Sequence, residues 1–141
     1  MAVSLDIEKA FDTLGWKYLL GMLQWMHFGP NFTRWIATIY SQPRARVKTG
    51  HYISDSFNIH RGTRQGCPLS PLICALAMEP LACITGHMSP NGCLEVNGVG
   101  HVVSLYADDA LIYLRDPNIS LPELTSTLDS FGAISDLRVN W

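Results

Sequence analysis

At 141 residues, 48% of them hydrophobic and 16% charged, the chain is long enough to bury a core and too apolar for disorder. A formal net charge of −2 does not advertise a general nucleic-acid binder, and the sparse charge suits a surface part of which expects a neighbour. Asp6, Glu8 and Lys9 argue against a secretory signal, and no run of about 18 unbroken apolar residues offers a membrane span.

Charge is unevenly placed. Arg34, Arg44, Arg46, Lys48, Arg61 and Arg64 lie in one segment with a single acid, Asp55, which leaves the rest of the chain acidic. A basic stretch beside an acidic one suits a site that holds phosphates and metal ions together, and equally suits an ordinary mixed surface. Cys67, Cys74, Cys83 and Cys93 have no CxxC spacing, and the histidines are scattered. Reduced thiols in an intracellular protein fit better than a zinc site or a disulfide framework.

In chain order, Ala2 to Leu5 reads as a short strand running into Asp6. Leu14 to His27 has Leu19, Leu20, Leu23 and Met26 at helical spacing and stops at Gly29-Pro30. A second helix carries Phe32, Trp35, Ile36, Ile39 and Tyr40 as a stripe that should lie on a core. Ala45 to Thr49 and Ile53 to His60 are strand-like. Ser70 stands where an N-cap should, with Pro71 first in a helix whose Leu72–Ile84 stretch is apolar nearly all round and should be buried. Pro80 should kink it. Leu94 to Val96 and Val102 to Tyr106 read as strands joined at Asn97-Gly98, and Asp108-Asp109 as the turn before a strand from Ala110 to Leu114. Ser120 and Glu123 make a capping-box pattern for a last helix with Leu124, Leu128 and Phe131 inward, and Arg138 to Trp141 begins a strand. The expected class is α+β with an antiparallel sheet packed on helices.

Three segments carry chemistry. Ser4 to Asp12 (SLDIEKAFD) puts Asp6 at the end of an apolar strand, where an acid can face a cleft or simply cap the next helix. Lys9 and Asp12 read as local ion pairing or helix-start charges. Arg61 to Pro71 (RGTRQGCPLSP) sets Gln65 and two arginines among glycines that allow close backbone approach. Tyr106 to Asp109 (YADD) places two acids side by side, costly unless a cation or solvent relieves them. If Asp6 and the acidic pair converge, two metal ions about 4 Å apart could activate a primer hydroxyl and stabilise a leaving pyrophosphate. Few protein groups are then needed, because phosphoryl transfer is mostly positioning and charge neutralisation.

In this order, the three segments closely resemble the reverse transcriptases of non-LTR (LINE-type) retrotransposons, and the similarity runs almost end to end, through Phe28 to Phe32 and the final Val139-Asn140-Trp141. The resemblance implies a right-hand polymerase palm over residues 1–141, with residues 13–60 as a helical and hairpin segment between the first and second motifs. Most of the fingers, the thumb and the endonuclease of many relatives are expected to be missing. Asp6, Asp108 and Asp109 would be catalytic and bind metal with the Ile7 carbonyl, two Mg²⁺ ions being implied and Mn²⁺ a possible substitute. Phe11 would be the steric gate against a ribonucleotide 2′-hydroxyl, and Gln65 and Gly66 would lie along the incoming dNTP and template. Arg61, Arg64 and Tyr106 complete the implied nucleotide and template contacts. The implied partners are an RNA template, a DNA primer and dNTPs, without a membrane, in the nucleus or cytoplasm. Two other readings stand beside it: a non-enzymatic retrotransposon remnant that binds nucleic acid weakly through Arg34 to Arg64, and another polymerase class such as a group II intron enzyme.

Overall fold

The computed structural model describes residues 1–86, 94–96, 99–106 and 109–140. Strand β1 (Ala2–Ile7) leads into a one-turn helix α1 (Ala10–Thr13), with Lys9 turning the chain in the left-handed region at φ 48°. Helices α2 (Trp16–Trp25) and α3 (Pro30–Ile39) follow, then an arm of two-residue strands: β2 (Arg44–Ala45), β3 (Lys48–Thr49), β4 (Tyr52–Ile53) and β5 (Phe57–Asn58). Helix α4 (Ser70–Gly86) precedes β6 (Leu94–Val96), β7 (Val99–His101), β8 (Val103–Tyr106) and β9 (Asp109–Tyr113). Helix α5 (Pro117–Ser135) and β10 (Val139–Asn140) end the described chain.

A four-stranded antiparallel sheet in the order β10-β1-β9-β8 organises the molecule, so that the first strand is central and its neighbours come from the far end of the sequence. Alternation in β1 explains the placement. Leu5 and Ile7 point into the core while Ser4 and Asp6 are exposed, and Ala110 and Ile112 of β9 repeat the pattern. The apolar face is covered by α4, which packs on β8 and on α5. Ile73, Ala77, Met78 and Leu81 of α4 and Leu124, Leu128 and Phe131 of α5 share that core with Leu19 and Leu23 of α2. The class is α+β, as expected.

Several local expectations change. The last helix begins earlier than its capping-box pattern: Asp116 is the N-cap, its side chain accepting from Asn118 N–H at 3.1 Å, with Pro117 in the first turn. Ser120 is buried inside the helix, so it caps nothing. Helix α4 likewise takes Ser70 as its first residue rather than its cap, and only one face is covered, leaving Leu72 63% exposed and Ile84 exposed. In α3 only Ile36 is fully buried, and Trp35 of the expected core stripe is 68% exposed. The strand-like stretches from 45 to 60 shrink to a nested arm, β2 on β5 and β3 on β4. Strand β6 pairs with β7, Val96 opposite Val99, while residues 97–98 lie outside the described residues.

Candidate active site

Strand register builds the site. Asp6 of β1 pairs with Asp109 of β9 on one side and with Asn140 of β10 on the other. Asp109 in turn pairs with Tyr106 of β8. One level of the sheet therefore reads Asn140, Asp6, Asp109, Tyr106 across all four strands, and all four residues are exposed on the face away from the helices. Tyr106 is 83% exposed. Asp109 opens β9 instead of lying in the turn, because it still pairs with Tyr106. Asp108, like Ala107, lies outside the described residues.

Directly opposed like charges destabilise a strand pair. Two facing carboxylates on open sheet surface therefore suit a hard divalent cation, which takes carboxylate oxygens and keeps positions for water and phosphate. Among the described residues, no group of three or more His, Cys, Asp or Glu side chains is placed to hold a metal. Ile7 follows Asp6 with its side chain in the core, 1% exposed.

The second motif docks on the chain just after the first. Gly62 N–H donates to the Leu14 carbonyl at 2.8 Å, and Thr63 donates to the Phe11 carbonyl through both its N–H and its hydroxyl. The Trp16 indole N–H donates to the Gly62 carbonyl at 2.7 Å, and the Gln65 amide lies 3.4 Å from an Asp12 carboxylate oxygen. Gly62 permits this approach: its φ is +86°, and a Cβ there would lie 2.7 Å from the Asp12 carbonyl oxygen. Half-buried Phe11 is thus held by its own carbonyl against the loop that carries Gln65 and Gly66, both exposed. Arg61 and Arg64 are exposed and line a recess of about 410 Å³ with Asp12, Trp16, Tyr40 and Cys67. In that recess the Cys67 thiol is held below its ordinary pKa, first by hydrogen bonding from the Leu69 backbone and also by Ser70 and the Arg64 charge, against the effect of desolvation. A larger recess, about 830 Å³, is lined by Trp16, Tyr18, Trp25, Arg61 and Ile134 and not by Asp6 or Asp109.

Reading the sequence missed two of these partners. Asp12, read there as a local charge, touches Gln65, and Trp16 reaches Gly62 across 46 positions. The Asn140 placement was also missed, since only the pairing of β10 with β1 reveals it.

Two facing acids thus stand on one open face of the sheet, with the second motif's loop docked on the chain just after strand β1. A family model described as reverse transcriptase (RNA-dependent DNA polymerase) matches residues 1–141, and the chain belongs to that family, whose members use divalent metal ions. Its relatives include proteins of non-LTR retrotransposons. The transposon TX1 uncharacterized 149 kDa protein of Xenopus laevis is 35% identical over 139 residues, which are 99% of this chain and 11% of that protein. A Pol polyprotein of the type-1 retrotransposable element R2 of Popillia japonica is 27% identical over 98% of this chain and 19% of its own length. The chain thus spans less than a fifth of the length of either. Among solved structures, telomerase from Candida tropicalis, in complex with a TWJ fragment of telomeric RNA, superposes with a TM-score of 0.71 at 12% identity, covering 99% of this chain and 24% of that one. That likeness extends the fold assignment to the whole described chain. Among the described residues no helix is long and apolar enough to cross a membrane.

Proposed function

We propose that residues 1–141 form the palm of an RNA-directed DNA polymerase, with residues 13–60 as the helical and hairpin segment between its first two motifs. The observation that carries the reading is the pairing of Asp6 with Asp109 on the exposed sheet face, beside a loop locked to Phe11. Asp6, Asp108 and Asp109, with the Ile7 carbonyl, would hold two Mg²⁺ ions, or Mn²⁺ in their place. Held there, such ions would supply charge stabilisation for ionising a primer hydroxyl and for the departing pyrophosphate.

The chain's own groups do the positioning. Gln65 and Gly66 lie along the incoming dNTP and the RNA template, and Arg61 and Arg64 meet phosphate oxygens as planar, permanently charged donors. Phe11 takes the space that a ribose 2′-hydroxyl would need. Tyr106, at the β8 end of the paired row, faces the nucleotide and template from the side opposite Asn140. The DNA primer, template and dNTPs are the partners of this reading, and the nucleus or cytoplasm is where they meet.

The test is primer extension on an RNA template with dNTPs and Mg²⁺, with these residues grafted into the corresponding segment of the Xenopus laevis relative. Asp6→Asn and Asp109→Asn should each lower extension by about two orders of magnitude or more, in line with losses of a group stabilising charge in the transition state. Phe11→Ala should spare dNTP incorporation and admit ribonucleotides. Retained extension in either Asp variant would defeat the metal assignment, and unchanged sugar discrimination would defeat the gate.

A second reading has its own observation: Arg44, Arg46 and Lys48 are exposed on the arm together with Tyr52 and Phe57. Basic groups interleaved with exposed aromatics suit a single nucleic-acid strand, which binds by charge and stacking. Such binding needs no catalysis.

A further inference from the structure

The paired row has two flanks, and the one on β10 points to a role. Asn140 faces Asp6 across the antiparallel β1–β10 pair, as Asp109 does across β1–β9. Directly opposed residues on such strands have Cβ atoms about 4.5–5.5 Å apart. Asp6 therefore stands between a like charge on one side and a neutral side chain with two N–H donors on the other. Asparagine is depleted in strands, so strand propensity does not account for it there.

Its position is also firmly set. Val139 packs against the core, and Glu8 N–H donates to the Arg138 carbonyl at 2.8 Å, extending the β1–β10 pairing past the strand ends. A carboxylate has about four lone-pair sites on its two oxygens. A cation shared with Asp109 would use the sites turned toward β9 and leave those turned toward β10.

We propose that Asn140 is a positioning residue for Asp6: the two exposed side chains make no hydrogen bond to each other in this structure, and when a cation is shared by Asp6 and Asp109 the Asn140 amide donates to the Asp6 carboxylate oxygen left on the β10 side and fixes the other oxygen toward the cation. The inference rests on the metal-binding reading of Asp6 and Asp109. An amide serves this purpose where a lysine would not, since a cationic side chain would compete with the metal ion for the carboxylate. Partners of this kind hold a ligand at the angle at which it binds, and their removal weakens metal affinity about 10–100-fold.

The experiment is titration of the purified chain with Tb³⁺ alone, a hard cation that accepts oxygen ligands, read by luminescence sensitised through aromatic side chains such as Tyr106 in the same row. Asn140→Ala should weaken Tb³⁺ binding about 10–100-fold and leave the metal-free unfolding midpoint unchanged, and Asn140→Gln should restore most of the affinity. Asp6→Asn is the control. If Asp6→Asn weakens binding and Asn140→Ala does not, the Asn140 assignment is overturned and the metal reading stands. If Asn140→Ala lowers the metal-free midpoint and Asn140→Gln restores no affinity, the residue is structural and the assignment is again overturned. If the wild-type chain binds no Tb³⁺ saturably, or Asp6→Asn changes nothing, the metal reading falls and takes the assignment with it.

Discussion

Gly62 shows how one missing Cβ can hold a site together. At φ +86° it occupies a conformation that strains any L side chain, and its amide and carbonyl are both used, by Leu14 and Trp16. Gly62→Ala should cost about 1–3 kcal/mol from backbone conformation alone, and more from the clash with the Asp12 carbonyl. Urea unfolding checks this, with a lower midpoint at unchanged slope as the expected result. At this scale the sequence was a fair guide to which residues gather and a poor guide to how. Asp6 and Asp109 were legible because strand ends and adjacent acids leave a local mark. Trp16 and Asn140 were not, because an indole that bonds a carbonyl 46 positions away and an amide on a late strand leave none.

Elements follow the same division. Helices α2, α4 and α5 could be read from apolar spacing, but which of their faces would be covered depends on neighbours that spacing does not record. Leu72 and Trp35 belong to apolar runs and remain exposed, because α4 and α3 are each covered on one side. The start of α5 went to Asp116 and Pro117, an acceptor followed by a ring with φ already helical, over the later Ser120–Glu123 pattern. Packing of α2 on α4 makes a pH prediction. The Tyr18 hydroxyl donates to the Ala77 carbonyl at 2.7 Å, and the ring meets Phe131 edge-on at 5.9 Å. Burial raises the pKa of that phenol above its ordinary value. Below about pH 10 the group is neutral in both folded and unfolded chains. As pH rises beyond that, the unfolded chain releases a proton that the folded chain still holds, and stability falls until the folded group's higher pKa is passed. Tyr18→Phe should flatten this alkaline loss, measured as unfolding midpoint against pH, while costing about 1 kcal/mol at neutral pH for the hydrogen bond.

Across the whole molecule, exposed apolar groups occur on the helices as well as on the basic arm, where Val47, Tyr52, Ile53 and Phe57 stand among Arg44, Arg46 and Lys48. Trp25, Trp35, Ile119 and Ile134 are exposed on three helices. The helix faces and the arm should answer salt in opposite ways. Self-association through the apolar faces should persist in high salt, followed by sedimentation velocity. Binding of single-stranded RNA should weaken steeply, and replacing the three arm residues by serine should lower the log–log salt slope by roughly 2, at about 0.7 for each phosphate no longer neutralised. A slope unaffected by the replacement would move the binding surface off the arm. The sheet order has a consequence of another kind. During translation β1 leaves the ribosome well before β9 and β10, the two strands that flank it. At roughly 5–20 residues per second, Leu5 and Ile7 wait on the order of five to twenty seconds for the partners that shield their edges. Throughout that interval the nascent chain leaves the apolar side chains of β1 without their partners, and the row that brings Asp6 and Asp109 together forms only when those late strands arrive.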